Sequence, residues 1–135
     1  MEPKVVAIVQ ARMSSRRLPG KVLADLGGQP VLSWVTGGLR PASTLDEIVV
    51  ATSTDQADDP IPKWCAEAEF RCYRGSLKDV LARYAAATRW TQADVVVRIT
   101  ADCPLIDPRV VDLVVRKLNS ENLDYCGLGG EFPHG

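Results

Sequence analysis

Short apolar runs alternate with helical patterns along this 135-residue chain, and the alternation predicts an α/β fold. The first run, residues 5–9, is apolar without interruption, as expected for a strand that is buried on both faces of a parallel sheet. No internal repeat, low-complexity tract or linker breaks the pattern. We therefore expect one domain over residues 1–135, built in three layers with helices on both faces of a mostly parallel, doubly wound sheet.

Strands are expected where apolar runs are bounded by charged or turn-forming residues. These runs predict strands over residues 4–10, 47–52, 70–73, 94–99 and 123–126. In the common 3-2-1-4 order of such sheets, the first and fourth strands are neighbours at the topological switch point. The loops that follow these two strands, 11–21 and 100–107, should then face each other across one crevice.

Helices are expected between the strands, over residues 30–39, 58–69, 78–90 and 110–118. The last of them should start with Asp107 as N-cap and Pro108 as the first helical residue. Ser76 and Asp79 resemble a capping box before the third helix, with Asp in place of the usual Glu. The Gly-Gly pair at 37–38 should weaken the last turn of the first helix.

Composition and charge narrow the class of protein. The chain has 46 % hydrophobic and 24 % charged residues, with 16 Lys and Arg against 17 Asp and Glu and a formal net charge of −1. This balance is typical of a globular protein and argues against a broad nucleic-acid-binding surface. No apolar run has membrane-spanning length and the N-terminus lacks a signal-peptide pattern, so we expect a cytoplasmic protein that does not bind membranes.

Several reactive or aromatic residues have ordinary structural explanations. The four cysteines show no CxxC spacing, and the single histidine, His134, does not complete a usual Cys/His zinc pattern or a Ser-His-Asp or Cys-His catalytic set. Free thiols in a reducing compartment account for the cysteines, including Cys103. The three tryptophans lie in helical segments and are expected in the core or at its edge.

The loop after the first strand is the most informative segment. No acidic residue occurs between Glu2 and Asp25, whereas basic residues occupy positions 4, 12, 16, 17 and 21. Open α/β sheets bind ligands outside the carboxyl ends of their strands, and a turn at Pro19-Gly20 sets the direction of the lysine that follows. A cationic loop at this place suits a polyphosphate ligand, although a solvated basic surface is the alternative interpretation.

Two widespread phosphate-binding motifs are missing from the sequence. The chain has no G-x-x-x-x-G-K-[ST], which argues against a P-loop NTPase, and no G-x-G-x-x-G after the first strand, which argues against a dinucleotide-dependent oxidoreductase.

The loop after the fourth strand carries Asp102 directly beyond a buried run. Mg²⁺ is usually bound by one or two carboxylates together with substrate phosphates, so Asp102 is a candidate Mg²⁺ ligand. Taken alone, Asp102 is better explained as a turn residue before Pro104. Arg98 either pairs with it or faces a substrate. With cations on one wall of the crevice and this carboxylate on the other, the two loops predict a nucleoside triphosphate site.

Four collinear blocks of this chain resemble the sugar cytidylyltransferases, enzymes that activate acidic sugars as CMP derivatives. The blocks are residues 10–23, 48–53, 74–84 and 97–107. They are most similar to the group of spore coat polysaccharide biosynthesis protein F, and more distantly to the 3-deoxy-manno-octulosonate and acylneuraminate cytidylyltransferases. The resemblance implies a GT-A-like nucleotide-binding fold.

The resemblance also implies a role for each matching residue. Nucleotide contacts are implied for Gln10, Ala11, Arg12, Ser15, Arg17, Lys21, Ser53, Arg74 and Ser76. Of these, Arg12, Arg17 and Lys21 would bind the triphosphate of CTP, and Arg12 and Lys21 are the candidate catalytic residues. Gln10 and Ala11 would lie beside the base, and the residues at 53, 74 and 76 are candidates for the base and ribose end.

The implied reaction is the transfer of CMP from CTP to an acidic or phosphorylated sugar, with pyrophosphate as the leaving group and Asp102 holding Mg²⁺. Such a transfer needs positioning and charge neutralisation more than a protein nucleophile. The family pattern extends beyond residue 135, so we expect a homodimer or an assembly with another chain. The alternative is a nucleotide- or phosphate-binding domain or subunit that has lost turnover.

Overall fold

The computed structural model describes residues 2–14, 18–101 and 105–121. Its strands are β1 (Val5–Gln10), β2 (Asp25–Leu26), β3 (Gln29–Pro30), β4 (Glu47–Ser53), β5 (Arg71–Gly75) and β6 (Val95–Thr100). Its α-helices are α1 (Val31–Leu39), α2 (Pro60–Ala68), α3 (Val80–Thr91) and α4 (Pro108–Ser120). Two 3₁₀ turns lie at Lys21–Leu23 and Gln56–Asp58. The strand expected at 123–126 lies outside the described residues.

The main sheet has the order β5-β4-β1-β6, and all three of its strand pairs are parallel. This is the predicted 3-2-1-4 order, so the neighbourhood of the first and fourth long strands is confirmed. At the carboxyl end of β1, Gln10 pairs with Ala51 of β4 on one side and with Thr100 of β6 on the other. The loops after β1 and β6 therefore leave the sheet side by side.

Core side chains alternate between the two faces of the sheet, which gives three layers. Val9 and Val50 belong to one apolar cluster with residues of α1 and α2. Ile8 and Val49, their sequence neighbours, belong to a second cluster with Tyr84 of α3. Every residue from Val5 to Val9 is buried, which confirms that β1 is covered on both faces.

A small antiparallel hairpin, β2–β3, follows the basic loop and is not among the predicted elements. Its turn is formed by Gly27 and Gly28, with φ of 63° and 97°, a conformation that glycine adopts without steric cost. Each of its strands has only two residues, too few for a periodic apolar pattern. A Gly-Gly pair is the signal in the sequence that marks such a turn.

The start of α3 differs from the predicted capping box. Asp79, not Ser76, is the N-cap, and its carboxylate accepts the N–H of Ala82 at 2.9 Å. The Ser76 hydroxyl accepts the N–H of Asp79 at 3.0 Å, so the two residues are in contact as expected. This contact lies one turn before the start of the helix. At α4 the prediction is confirmed, because Asp107 accepts the N–H of Arg109 at 2.9 Å and Pro108 opens the helix.

The glycine pair at 37–38 does not end α1, which continues to Leu39. A Cβ at Gly38 would lie 3.2 Å from the carbonyl oxygen of Ile106, so glycine lets this helix approach the segment before α4 closely. Of the tryptophans, Trp64 lies at the edge of the core, as expected, and stacks on Phe70 with ring centroids 5.9 Å apart. Trp34 and Trp90 are instead exposed, at 39 % and 40 %. No helix in the described ranges is both long and apolar enough to cross a membrane.

Helix α4 is tied to the segment between α1 and β4 by Asp112. Its carboxylate accepts the N–H groups of Ser43 and Thr44 at 3.0 and 2.9 Å and both of their hydroxyl groups. Burial raises the pKa of Asp112, but the hydrogen bonds from Thr44 and Ser43 outweigh it and bring the pKa from 3.8 to about 2. The carboxylate is therefore part of the folded structure in its ionised form.

We expect Asp112→Asn to lower the free energy of unfolding by about 2 kcal/mol at pH 7, because charge-assisted hydrogen bonds are lost. A pKa depressed in the folded state contributes stability above the unfolded pKa of about 3.8, and that stability is lost as pH falls through about 2. The difference between the two proteins should therefore shrink between pH 5 and pH 2. Urea denaturation across this range measures it, and Glu121→Gln, at the exposed end of the same helix, is the control. A difference that is independent of pH would contradict the expectation.

Candidate functional site at the carboxyl edge of the sheet

The loops that leave the carboxyl edge of the sheet begin with backbone hydrogen bonds between neighbouring strands. The N–H of Ala11 donates to the carbonyl of Ala51 at 3.0 Å, and the N–H of Ala101 donates to the carbonyl of Gln10 at 3.0 Å. On the other side, the N–H of Thr54 donates to the carbonyl of Gly75 at 3.1 Å. The loops after β1, β4 and β6 thus start from defined positions along one edge.

Asp58 is the centre of this edge, although its sequence context indicates no more than a helix start. Its carboxylate is fully buried and accepts hydrogen bonds from the side chain of Arg12, the hydroxyl of Ser53 and, at 2.7 Å, the N–H of Met13. Arg12 and Asp58 also form an ion pair. One carboxylate therefore joins the loop after β1 to the end of β4.

The ionisation of Asp58 follows from these contacts. Burial raises its pKa, but the Ser53 hydroxyl, the Met13 N–H and the Arg12 guanidinium together hold the pKa below its usual value. A buried carboxylate with this set of donors is charged at neutral pH. Its position in an Asp-Asp-Pro sequence is a cue for a helix start, and no local pattern reveals that its partners lie 45 residues away.

Arg12 is placed at the mouth of the basic loop by this ion pair. Its Nε is bound to Asp58, and its Nη2 donates to the Ser14 hydroxyl at 2.8 Å on the exposed side. The side chain keeps 21 % of its surface exposed, so the guanidinium faces solvent on one side. The structure thus presents a cation of fixed position at the end of β1.

The turn before Lys21 has the geometry predicted for Pro19-Gly20. Gly20 has φ of 75°, and its N–H donates to the carbonyl of Met13 at 2.6 Å, which closes the loop. Lys21 then starts a short 3₁₀ turn in which its N–H donates to the carbonyl of Leu18 at 3.1 Å. The lysine is therefore held in the same closed loop as Arg12.

Ser53 and Arg74 are used within the protein. Ser53 is fully buried and donates to Asp58. Arg74 donates through Nε to the carbonyl of Ser53 at 2.8 Å and through Nη2 to the carbonyl of Asp55 at 2.9 Å, and it pairs with Asp59 at 2.8 Å. These contacts hold the segment after β4, and a direct role toward a nucleotide stays a prediction for both residues.

The remaining predicted site residues fall into two groups. The first group lies at the carboxyl edge of the sheet, where Gln10 is half-buried, Ala11 is buried and Ser76 is exposed. Ser15, Arg17 and Asp102 lie outside the described residues. Within those that the structure describes, no group of three or more His, Cys, Asp or Glu side chains forms a metal site. The assignment of Asp102 to Mg²⁺ therefore stays a prediction.

Arg98 lies against the aromatic ring of Tyr84, with the guanidinium carbon 4.3 Å from the ring centroid. This contact directs Arg98 to the face of the sheet that α3 covers. Burial raises the pKa of Tyr84, and the contact with Arg98 opposes this effect. The contact with Tyr84 tests neither alternative for Arg98, so pairing with Asp102 and facing a substrate both stay predictions.

Solved structures share this architecture. A cytidylyltransferase from Leptospira borgpetersenii is 34 % identical with a TM-score of 0.83, over 88 % of this chain and 50 % of that one. CMP:2-keto-3-deoxy-manno-octonic acid synthetase, solved in complex with CTP, is 25 % identical with a TM-score of 0.79, over 88 % of this chain and 48 % of that one. The sheet order and these superpositions define a nucleotidyltransferase fold.

The family model described as cytidylyltransferase matches residues 6–129. The chain belongs to the cytidylyltransferase family. The spore coat polysaccharide biosynthesis protein SpsF of Bacillus subtilis is 34 % identical over 125 residues, which cover 90 % of this chain and 52 % of that protein. The chain spans about half the length of the curated relatives it matches.

The adjacent pair Asp58 and Asp59 offers a matched test of the buried carboxylate. We expect Asp58→Asn to cost about 3 kcal/mol of unfolding free energy, because it leaves the Arg12 side chain and the Ser53 hydroxyl without their acceptor. Asp59→Asn, at an exposed position, should cost well under 1 kcal/mol. Urea denaturation of both variants measures the costs. Equal costs would mean that Asp58 is no more than a surface charge.

Proposed function

We propose that this chain is the nucleotide-binding part of a sugar cytidylyltransferase, which transfers CMP from CTP to an acidic or phosphorylated sugar for surface polysaccharide biosynthesis. The observation that carries the proposal is the closed cationic loop of Arg12 and Lys21 at the carboxyl edge of a sheet with the nucleotidyltransferase fold. The names of SpsF and of the CTP-bound synthetase support both the nucleotide and the class of acceptor.

The proposed chemistry follows from charge and position. Arg12, Arg17 and Lys21 bind the triphosphate, and Arg12 and Lys21 stabilise the charge that grows on the phosphates as pyrophosphate leaves. The attacking oxygen comes from the sugar, so the protein needs no nucleophile of its own. Because Asp58 fixes Arg12 before the ligand arrives, the loop loses little freedom on binding.

Asp102 is the residue that would hold Mg²⁺. It follows Ala101 in the sequence, and the N–H of Ala101 is bound to the carbonyl of Gln10, the residue that precedes the basic loop. A single carboxylate suits Mg²⁺, which completes its ligand set with water and phosphate oxygens. A Mg²⁺ ion held there by Asp102 would supply positive charge to neutralise the phosphates.

A nucleotide- or phosphate-binding domain or subunit without turnover is the second candidate. The observation that favours it is that the chain spans about half the length of its relatives. Pyrophosphate release from CTP in the presence of Mg²⁺ and a panel of acidic sugars distinguishes the two. Release beyond one equivalent per chain supports the enzyme, and binding of CTP without any release supports the binding domain.

We further propose that the chain assembles, as a homodimer or with another protein. Within the described part of the chain, β5 and β6 each have one neighbour in the sheet, and Leu81 and Leu113 are exposed on the helices. Unpaired edges and exposed apolar side chains favour association. Light scattering coupled to size exclusion tests this, and a monomer mass at every concentration would contradict it.

We also propose a cytoplasmic location, which agrees with the free thiols of Cys65 and Cys72, since neither forms a disulfide bond.

CTP should bind more tightly than ATP, GTP or UTP when each is titrated with Mg²⁺ in a calorimeter. Arg12→Ala and Lys21→Ala should each weaken CTP about tenfold or more, since a charge-assisted contact contributes about 1.5–3 kcal/mol. Lys63→Ala, which removes an exposed lysine from helix α2, is the control and should leave the affinity unchanged. Tighter binding of another nucleotide would remove the cytidylyl assignment, and unchanged affinity in both loop variants would mean that the loop is a solvated surface.

A further inference from the structure

Arg83 is the largest side chain that is completely buried in the described part of the chain, at 1 % exposure. Its stem packs against the end of β5, since a Cβ at Gly75 would lie only 3.0 Å from Cγ of Arg83. Glycine at position 75 therefore makes room for this arginine. The guanidinium ends against the turn that joins β5 to α3, at the same edge of the sheet as the basic loop.

The hydrogen bonds of Arg83 leave most of its donors unused. Nε donates to the carbonyl of Ser76 at 3.1 Å, and Nη2 donates to the carbonyl of Leu77 at 3.4 Å, which is long for such a bond. Nη1 is buried and has no partner. None of the ion pairs found in residues 2–14, 18–101 and 105–121 includes Arg83. A guanidinium has five N–H donors, so this cation is buried with much of its capacity unmet.

Charged groups of the crevice affect the pKa of Arg83. Burial and the positive charge of Arg12 lower its pKa, and the negative charge of Asp58 opposes them. The guanidinium thus lies near the Arg12–Asp58 pair, but that carboxylate already has three donors of its own. The backbone contacts of Arg83 use Nε and Nη2 alone, so they do not account for the unpaired Nη1.

Arg74, which lies at the same edge of the sheet, differs from Arg83 in how its donors are used. Its Nε and Nη2 are bound to two carbonyls and a carboxylate, all at 2.8 to 2.9 Å, so these donors are satisfied within the protein. Of the two arginines that end near the turn after β5, Arg83 is the one with a buried donor that has no partner. An unpaired buried donor of this kind is a feature that a bound ligand can complete.

We propose that Arg83 is a nucleotide-binding residue, which positions the Ser76–Leu77 backbone and directs Nη1 to an acceptor atom of the ligand. The acceptor is an oxygen or ring nitrogen that carries negative charge or a lone pair, as on the pyrimidine edge and on phosphate. This assignment rests on the proposed function.

Calorimetric titration of the 135-residue chain with CTP, cytidine, CMP and pyrophosphate tests the proposal. Arg83→Gln should weaken CTP at least tenfold, and Arg83→Lys should restore part of the loss because it keeps a cationic donor. Arg89→Met, which removes an exposed arginine from the same helix, is the matched control and should bind like the native chain. Weakening of cytidine and CMP places the acceptor on the nucleoside, whereas weakening of pyrophosphate alone places it on the phosphates.

A second measurement covers the case in which the variants fail to fold. The guanidinium protons of Arg83 in the native chain should shift in NMR spectra and exchange more slowly when CTP binds. Native binding of CTP with unchanged Arg83 protons, or with folded Arg83 variants whose affinity stays within twofold, would overturn the Arg83 assignment and leave the proposed function intact. A native chain that binds no nucleotide would overturn the proposed function itself.

Discussion

A carboxylate with no access to water needs hydrogen bonds from the protein in several directions, and Asp58 obtains them from two segments, one of which is 45 residues away in the sequence. Arg12 and Met13 come from the loop after β1, and Ser53 comes from the end of β4. Because each donor also belongs to a loop at the carboxyl edge, these contacts set the course of both loops at once. The basic loop depends on this arrangement, since Arg12 would otherwise be free to turn into solvent.

Preorganisation is the functional consequence of that carboxylate. A triphosphate bound as proposed would meet a cation whose side chain is already oriented and a loop already closed by the hydrogen bond between Gly20 and Met13. Binding then costs less conformational entropy than it would with a mobile loop. The same logic extends to the turn after β5, where Arg74 holds one segment rigidly and Arg83 holds the next while keeping a donor unpaired.

Membership of the cytidylyltransferase family gives these features a common interpretation. Relatives of about twice this length share the sheet and its carboxyl edge with the present chain. The chain therefore carries the part of the fold in which the charged loops leave β1, β4 and β6. The contacts distinguish Arg74, which is bound within the protein, from Arg83, which keeps an unpaired nitrogen, and a nucleotide contact of Arg74 stays a prediction.

Periodicity in the sequence by itself determined the sheet, because apolar runs and helical spacing are local and report burial directly. The order of the long strands is predicted from the common order of doubly wound sheets, and the N-cap at Asp107 with Pro108 as the first helical residue from the local sequence. Tertiary structure alone decided which polar groups are satisfied: Asp58 with partners 45 residues away, Ser53 turned inward and Arg83 left with an unpaired nitrogen. The partners of a buried charge are chosen by the packing of whole strands and helices, and no spacing along the chain encodes that choice.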